Sequence, residues 1–184
     1  MNLNQLQIDR TWTLFLDRDG VINRRIVDDY VKTWDQFVFL PGVLDALKKF
    51  HHVFGRIIVV SNQQGVGKGL MSEADVQSVH IRMQDEIKNA GGNIDAVFYS
   101  PHLQSDKSIM RKPNIGMALK ARRQFTDIRL NRSLMAGDSI SDMIFGKRAG
   151  MKTVLICPDP EPAQSHPRQI DYLYPDLISL AKDL

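Results

Sequence analysis

The sequence predicts an α/β fold, a mostly parallel sheet with helices on both faces. Three observations carry that reading. Short β-rich apolar runs recur along the chain, with helix-like segments between them. The runs are near-continuous rather than alternating, which suits strands buried on both faces. The chain has 184 residues, 43% of them hydrophobic, enough for one sizeable core, so residues 1–184 are expected to form a single domain.

The elements follow in order. Strands are expected at TWTLFL (11–16), RIIVV (56–60), AVFYS (96–100), SLMAG (133–137) and TVLIC (153–157). The first helix should run from Pro41 to Phe50, opening on Pro-Gly and carrying Val43, Leu44, Leu47 and Phe50. The second should run from Ser72 to Ala90. It opens on SEAD, a capping-box pattern, and sets Val76, Val79, Met83 and Ile87 on one stripe. Two more are expected over 115–125 and 141–150, and a short last one over 176–184. PDPEPAQSHP (158–167) is rich in proline and reads as a surface loop. The gap from Ile22 to Leu40 is long for a strand-to-helix connection, and such loops often cover a site.

Composition narrows the function classes. A net charge of +3, from 24 basic and 21 acidic residues, permits an anionic small molecule and argues only weakly for nucleic acid. One cysteine, Cys157, allows neither an intrachain disulfide nor a cysteine zinc cluster; it reads as a core thiol. Met1 to Asp9 lacks the pattern of a secretory signal, and no apolar run approaches the ~20 residues of a membrane span. A reducing cytoplasm is the expected location. His51, His52, His80 and His166 read as surface or internally satisfied residues.

RIIVVSNQQGVGKGL has the order of a phosphate-binding P-loop but fails its test. With Gly67-Lys68 as the Gly-Lys pair, the first glycine falls on Asn62 and the Ser/Thr on Gly69. The chemistry lies elsewhere. The first strand runs into Asp17 and Asp19, the fourth into Asp138 and Asp142. In a parallel sheet all strand C-termini share one edge, where ligands bind, so Asp17, Ser61, His102 and Asp138 are expected to face one crevice. Clustered carboxylates repel one another, and few oxygen ligands with open positions suit Mg²⁺. A carboxylate can attack phosphorus to form an aspartyl-phosphate, and a second acid can protonate the leaving oxygen. Asp17 fits the nucleophile, Asp19 the acid/base and Asp138 a metal ligand. Ser61 and Lys112 fit as the hydroxyl and the cation that hold the phosphoryl oxygens. Asp142 reads equally as a residue behind the metal ligands and as an acid in a first helical turn, where the helix dipole favours it.

These residues bring out a resemblance. FLDRDGVIN, VVSNQQG, RKP and AGDSISD resemble, in order and over nearly the whole chain, the four motifs of the haloacid dehalogenase (HAD) superfamily of phosphatases. The similarity is greatest to the heptose-bisphosphate and histidinol-phosphate phosphatase branch, through SNQQGVGKG, the DYV of the long first loop, PH after the third strand, and RKP followed by Gly116-Met117. The resemblance implies a Rossmannoid three-layer fold without a large cap domain. It implies Mg²⁺ held by Asp17, the Asp19 backbone carbonyl and Asp138, with Ser61 and Lys112 on the phosphoryl group. It places Arg111 on the substrate and Asn23, Asp29, Tyr30, Asn62, Gln63 and Gln64 around it. The expected substrate is a small phosphorylated molecule, a sugar bisphosphate such as heptose 1,7-bisphosphate, with histidinol phosphate second. Polynucleotide 3′-phosphatases resemble the same branch, but this chain shows neither a kinase domain nor a strongly basic character. A receiver-like phosphoacceptor module is the alternative from another class. Many relatives carry a cysteine-rich zinc clip; Ser100, Ser108 and Met110 replace its cysteines here, so structural zinc is not expected. Ser139 stands where the heptose enzymes tend to have lysine, and Arg24-Arg25 lengthens the first loop, where it can face a second phosphate. A monomer or weak homodimer is expected.

Overall fold

The computed structural model describes residues 3–159 and 161–184. Six parallel strands form one sheet in the order β3-β2-β1-β4-β5-β6. They are β1 (Thr13–Leu16), β2 (Arg56–Asn62), β3 (Ala96–Ser100), β4 (Ser133–Gly137), β5 (Lys152–Ile156) and β6 (Tyr172–Tyr174). The order reverses between β1 and β4, and such a switch point is where open parallel sheets bind ligands.

Alternation along each strand builds the layers. Leu14 and Leu16 pair in register with Ile57 and Val59 on one side and Leu134 and Ala136 on the other. These side chains join one core, with Phe50 of α1 (Val43–Val53), Met83 of α3 (Glu73–Asn89) and Leu180 of α7 (Leu177–Lys182); the one-turn helix α2 (Gln64–Gly67) precedes α3 in the chain. The intervening Phe15, Ile58 and Met135 point to the opposite face. There they meet Met117 of α4 (Gly116–Gln124) and Phe145 of α5 (Ile140–Arg148). Helices thus cover both faces, as the near-continuous apolar strands predict.

Local chemistry sets the helix ends. Ser72 and Asp75 form the capping box expected at the start of α3, and Ser139 and Asp142 form a second one on α5. Gly42, at φ +72°, lets the chain turn into α1. Four features depart from the sequence reading. β1 starts at Thr13 because Trp12 is held in a turn by the Asp9 carbonyl. The proline-rich stretch contains a short helix, α6 (Glu161–Ser165), rather than loop alone. A sixth strand, β6, pairs with β5 at the sheet edge. Cys157 is only half-buried, just past β5, so it is a border thiol rather than a core one. Among the described residues no helix is long and apolar enough to cross a membrane.

Candidate active site

A cavity of about 760 Å³ opens at the C-terminal edge of the sheet, over the switch point. Asp17, Ser61 and Asp138, from the ends of three strands, all line it. The Asp17 amide donates to the Ala136 carbonyl (3.0 Å), which ties the first strand's end to the fourth. His102 does not join them; its backbone carbonyl accepts instead from Arg111 (3.3 Å). Asp29, Tyr30, Asn62, Gln64, Arg111 and Lys112 also line the cavity.

Lys112 is the electrostatic centre of the floor. Its ammonium is buried and contacts Asp142 Oδ1 (2.6 Å), Asp17 Oδ1 (2.8 Å) and the Val60 carbonyl (2.8 Å). Asn62 fixes this lysine's backbone, accepting from its N–H (3.0 Å) and donating to its C=O (3.1 Å). Burial alone would lower the proton affinity of Lys112, but Asp142 and Asp17 outweigh it and raise the pKa.

Asp17, Asp138 and Asp142 each offer a carboxylate oxygen, and these oxygens lie within 4.8 Å of one another. Asp142 therefore lies in the cluster while also capping α5. Glycines make room for the cluster. A Cβ on Gly20 would lie 2.0 Å from Asp138 Oδ2, and one on Gly137 would lie 2.3 Å from the Asp142 Cβ. Burial raises the pKa of Asp138 to about 6, with Asp142 adding to the shift. Burial likewise holds Asp17 above the ordinary carboxylate range; Lys112 opposes this, and Asp142 and Asp138 reinforce it. Three carboxylates facing one lysine leave excess negative charge, so the donor set fits a hard divalent cation such as Mg²⁺.

Asp19, two residues on, has the opposite environment. Burial pushes its pKa up, but the Arg18 cation and hydrogen bonds from Asn23, Arg18 and Gln63 outweigh that and lower it. Arg18 Nη2 donates to both carboxylate oxygens (3.0 and 2.9 Å), Asn23 Nδ2 to Oδ1 (2.9 Å) and Gln63 Nε2 to Oδ2 (2.8 Å). This corrects the expectation that Asn23 and Gln63 contact substrate. Both are fully buried behind Asp19 and away from the cavity wall, their amides spent on its carboxylate. Gln63 Nε2 also donates to Ser61 Oγ (2.8 Å).

The roof comes from the loops. Tyr30, on the long first loop, packs over Gly65, where a Cβ would lie 2.9 Å from its ring. Its hydroxyl accepts from Gln64 (3.2 Å), and the Lys68 ammonium sits 5.4 Å from its ring centroid. The turn that imitates a P-loop thus seats an aromatic wall, and Gly65 permits the contact. Arg25, Lys68, Lys107 and Arg111 add positive charge to the lining. Arg25 lies 3.6 Å from Asp138, whereas Arg24 is exposed and off the lining. Asp29 pairs with Lys32 (2.9 Å).

Arg18 escapes the sequence reading, while His80 is the internally satisfied residue of the two alternatives expected for it. Arg18 is fully buried and its Nη1 lies 3.0 Å from His80 Nε2. The one available signal is that His80 falls on the apolar stripe of α3, four residues after Val76 and three before Met83.

Comparison with known proteins agrees with this geometry. The family described as polynucleotide kinase 3 phosphatase matches residues 11–166. A D-glycero-alpha-D-manno-heptose-1,7-bisphosphate 7-phosphatase of Mycobacterium bovis is 47% identical over 132 residues, covering 72% of this chain and 70% of the relative. A D-glycero-beta-D-manno-heptose-1,7-bisphosphate 7-phosphatase of Pasteurella multocida is 31% identical over 176 residues, covering 92% and 94%. The crystal structure of D,D-heptose 1,7-bisphosphate phosphatase from B. bronchiseptica, complexed with magnesium and phosphate, superposes with a TM-score of 0.82 at 29% identity, covering 92% and 96%. The switch-point cleft and these relatives lead to one conclusion: the chain belongs to this phosphatase family, within the HAD superfamily, and is itself a phosphatase.

Proposed function

We propose that this chain is a Mg²⁺-dependent phosphomonoesterase that works through an aspartyl-phosphate on Asp17 and removes the 7-phosphate of D-glycero-D-manno-heptose 1,7-bisphosphate. The observation that carries the chemistry is Asp17 at the switch point, paired with Lys112 and clustered with Asp138 and Asp142. Asp17 and Asp138, with the Asp19 backbone carbonyl, would hold Mg²⁺. When bound, that ion neutralises charge on the phosphoryl oxygens and lets an anionic carboxylate approach phosphorus.

The chain's own groups do the rest. An Asp17 oxygen attacks phosphorus, and the bond from phosphorus to the ester oxygen breaks. Lys112 and the Ser61 hydroxyl hold the phosphoryl oxygens, and Asp19 gives its proton to the leaving oxygen. Asp19 then takes a proton from water as that water attacks the phosphorus, freeing phosphate and Asp17. At rest Asp19 is ionised, the form the second step uses; a bound phosphate dianion beside it raises its proton affinity for the first.

The substrate reading rests on the roof and the relatives. Arg25, Lys68, Lys107 and Arg111 in the lining suit a second phosphate on a sugar-sized ligand. The alpha anomer is favoured, since the alpha-named relative shares 47% identity and the beta-named one 31%. The family description favours a second reading, a 3′-phosphorylated oligonucleotide. The proposed location is the cytoplasm, and the working form a monomer or weak homodimer.

A screen decides. Phosphate release would be followed with Mg²⁺ on both heptose bisphosphate anomers, histidinol phosphate and a 3′-phosphorylated oligonucleotide. The alpha heptose ester should give the highest kcat/KM. Faster turnover of the oligonucleotide overturns the sugar reading, and full turnover by Asp17→Asn overturns the mechanism.

A further inference from the structure

Asp19 is held by a side chain that is itself held. Arg18 has no solvent exposure, yet it carries a full charge. Its Nη2 straddles both oxygens of Asp19, at 3.0 and 2.9 Å, while its Nη1 lies 3.0 Å from His80 Nε2. His80 comes from the inward stripe of α3, 62 residues away in sequence, and its ring packs against Tyr99 of β3 at 5.6 Å between centroids. Burial, with the Arg18 cation, lowers the His80 pKa to about 3. A neutral imidazole has one acceptor nitrogen, and an arginine can only donate, so the tautomer is fixed with Nε2 accepting. The guanidinium is thus anchored to the helix layer at one nitrogen and to the cavity wall at another. The Asp19 side chain keeps 23% exposure while Arg18, Asn23 and Gln63 grip its carboxylate.

We infer that Arg18 and His80 are positioning residues for the acid/base step: His80 sets the guanidinium plane, and Arg18 through it sets the direction of the Asp19 carboxylate toward the leaving oxygen. This rests on the reading of Asp19 as the acid/base. A planar guanidinium held at Nη1 by His80, with Nη2 spanning both carboxylate oxygens, fixes the orientation of Asp19 in a way a point charge does not. A catalytic group displaced by even ~1 Å loses rate steeply.

The test uses leaving groups. An alkyl phosphate such as heptose 1,7-bisphosphate needs a proton on its leaving oxygen; p-nitrophenyl phosphate, with a stable phenolate, does not. In the full-length protein with Mg²⁺, kcat/KM would be measured on both esters for wild type, Asp19→Asn, His80→Leu, His80→Gln and Arg18→Lys. Melting temperatures would confirm that each variant folds. His80→Leu should lose about 10-fold or more on the alkyl ester and under about 3-fold on the aryl ester, mostly in kcat. His80→Gln keeps an acceptor near the Nε2 position and should recover much of that loss. Arg18→Lys, which keeps the charge without the planar guanidinium, should show the same split as His80→Leu. Equal losses on the two esters, or no recovery with glutamine, overturn the inference. Asp19→Asn separates the two readings. If it loses equally on both esters, the acid role of Asp19 fails and the inference falls with it. If it discriminates while His80→Leu and Arg18→Lys do not, the inference alone falls.

Discussion

The floor and the roof of the cleft use charge in different ways. On the floor, Lys112 and Asp142 are almost wholly buried and meet at 2.6 Å, with Asp17 at 2.8 Å from the same ammonium. Each group has fixed partners, and the glycines beside them leave no spare volume. On the roof, Arg25 is 65% exposed and lies 3.6 Å from its acidic partner, and Lys68 rests over an aromatic ring. Buried charge in fixed geometry suits a reaction whose charge distribution is always the same. Exposed cations on loops suit recognition, because long side chains reorient at little cost. We therefore propose that the floor carries the phosphoryl chemistry and the roof the choice of substrate.

Substitutions on the floor should cost most. Asp17→Asn replaces the proposed nucleophilic carboxylate with a neutral amide and should lower phosphate release by about 10,000-fold or more with every ester, because a nucleophile is shared by all substrates. A variant that stays active on one ester would break the division between floor and roof. Lys112→Met should reduce kcat by about 100-fold under the proposed role of its cation in holding the transferring group. It should also destabilise the fold by about 3 to 5 kcal/mol, the range for leaving buried charges uncompensated. Asp17 and Asp142 are the charges left behind. Added Mg²⁺ should restore part of the lost melting temperature by supplying charge to the same carboxylates. Unchanged melting with and without the ion would mean that the lysine and the carboxylate cluster are uncoupled.

The roof should respond differently. Arg111 lines the cavity, half-buried, and its side chain donates to the His102 carbonyl at 3.3 Å. Arg111→Ala should raise KM for the bisphosphate about 10-fold, a loss of uniform binding, while kcat stays within about 2-fold. With p-nitrophenyl phosphate, which has no second phosphate, both constants should stay near wild type. A fall in kcat on both esters would place Arg111 with the floor.

The sequence shows the floor better than it shows its supports. Asp17, Ser61 and Asp138 each follow a buried apolar run, and parallel topology places the ends of such runs on one edge. Contacts made across the fold leave no such trace. Asn23 and Gln63 read as cavity residues because they lie within the motifs that carry the resemblance, yet both turn inward to Asp19, and nothing in their spacing sets that direction. Arg18 carries no signal of its own in the sequence; its partner His80 is supplied by α3 from 62 residues away. At the edge of the sheet, β6 has three residues, of which only Tyr172 is fully buried, too short a run to show a period. Four prolines mask α6, although proline is tolerated in a helix's first turn, where Pro162 sits.

The smallest effect concerns the support beneath the floor, and it has a sign. Burial and the Arg18 cation hold the His80 pKa at about 3, against an ordinary value of 6.5. A depressed pKa means that the folded protein binds the neutral imidazole and the unfolded chain takes the proton first. The stability His80 contributes is therefore complete above about pH 6.5 and declines as pH falls toward 3. His80→Gln has no such titration. The stability difference between wild type and His80→Gln, from urea unfolding at fixed Mg²⁺, should thus rise with pH between these limits. Its slope should not exceed about 1.4 kcal/mol per pH unit, and it should level off above pH 7. Arg111→Ala is the roof control. Arginine keeps its charge throughout this range, so its difference curve should stay flat. A sloping Arg111 curve would show that the roof shares the buried electrostatics of the floor. A flat His80 curve would show that the imidazole keeps its solution proton affinity, and so that water reaches the Arg18–His80 contact.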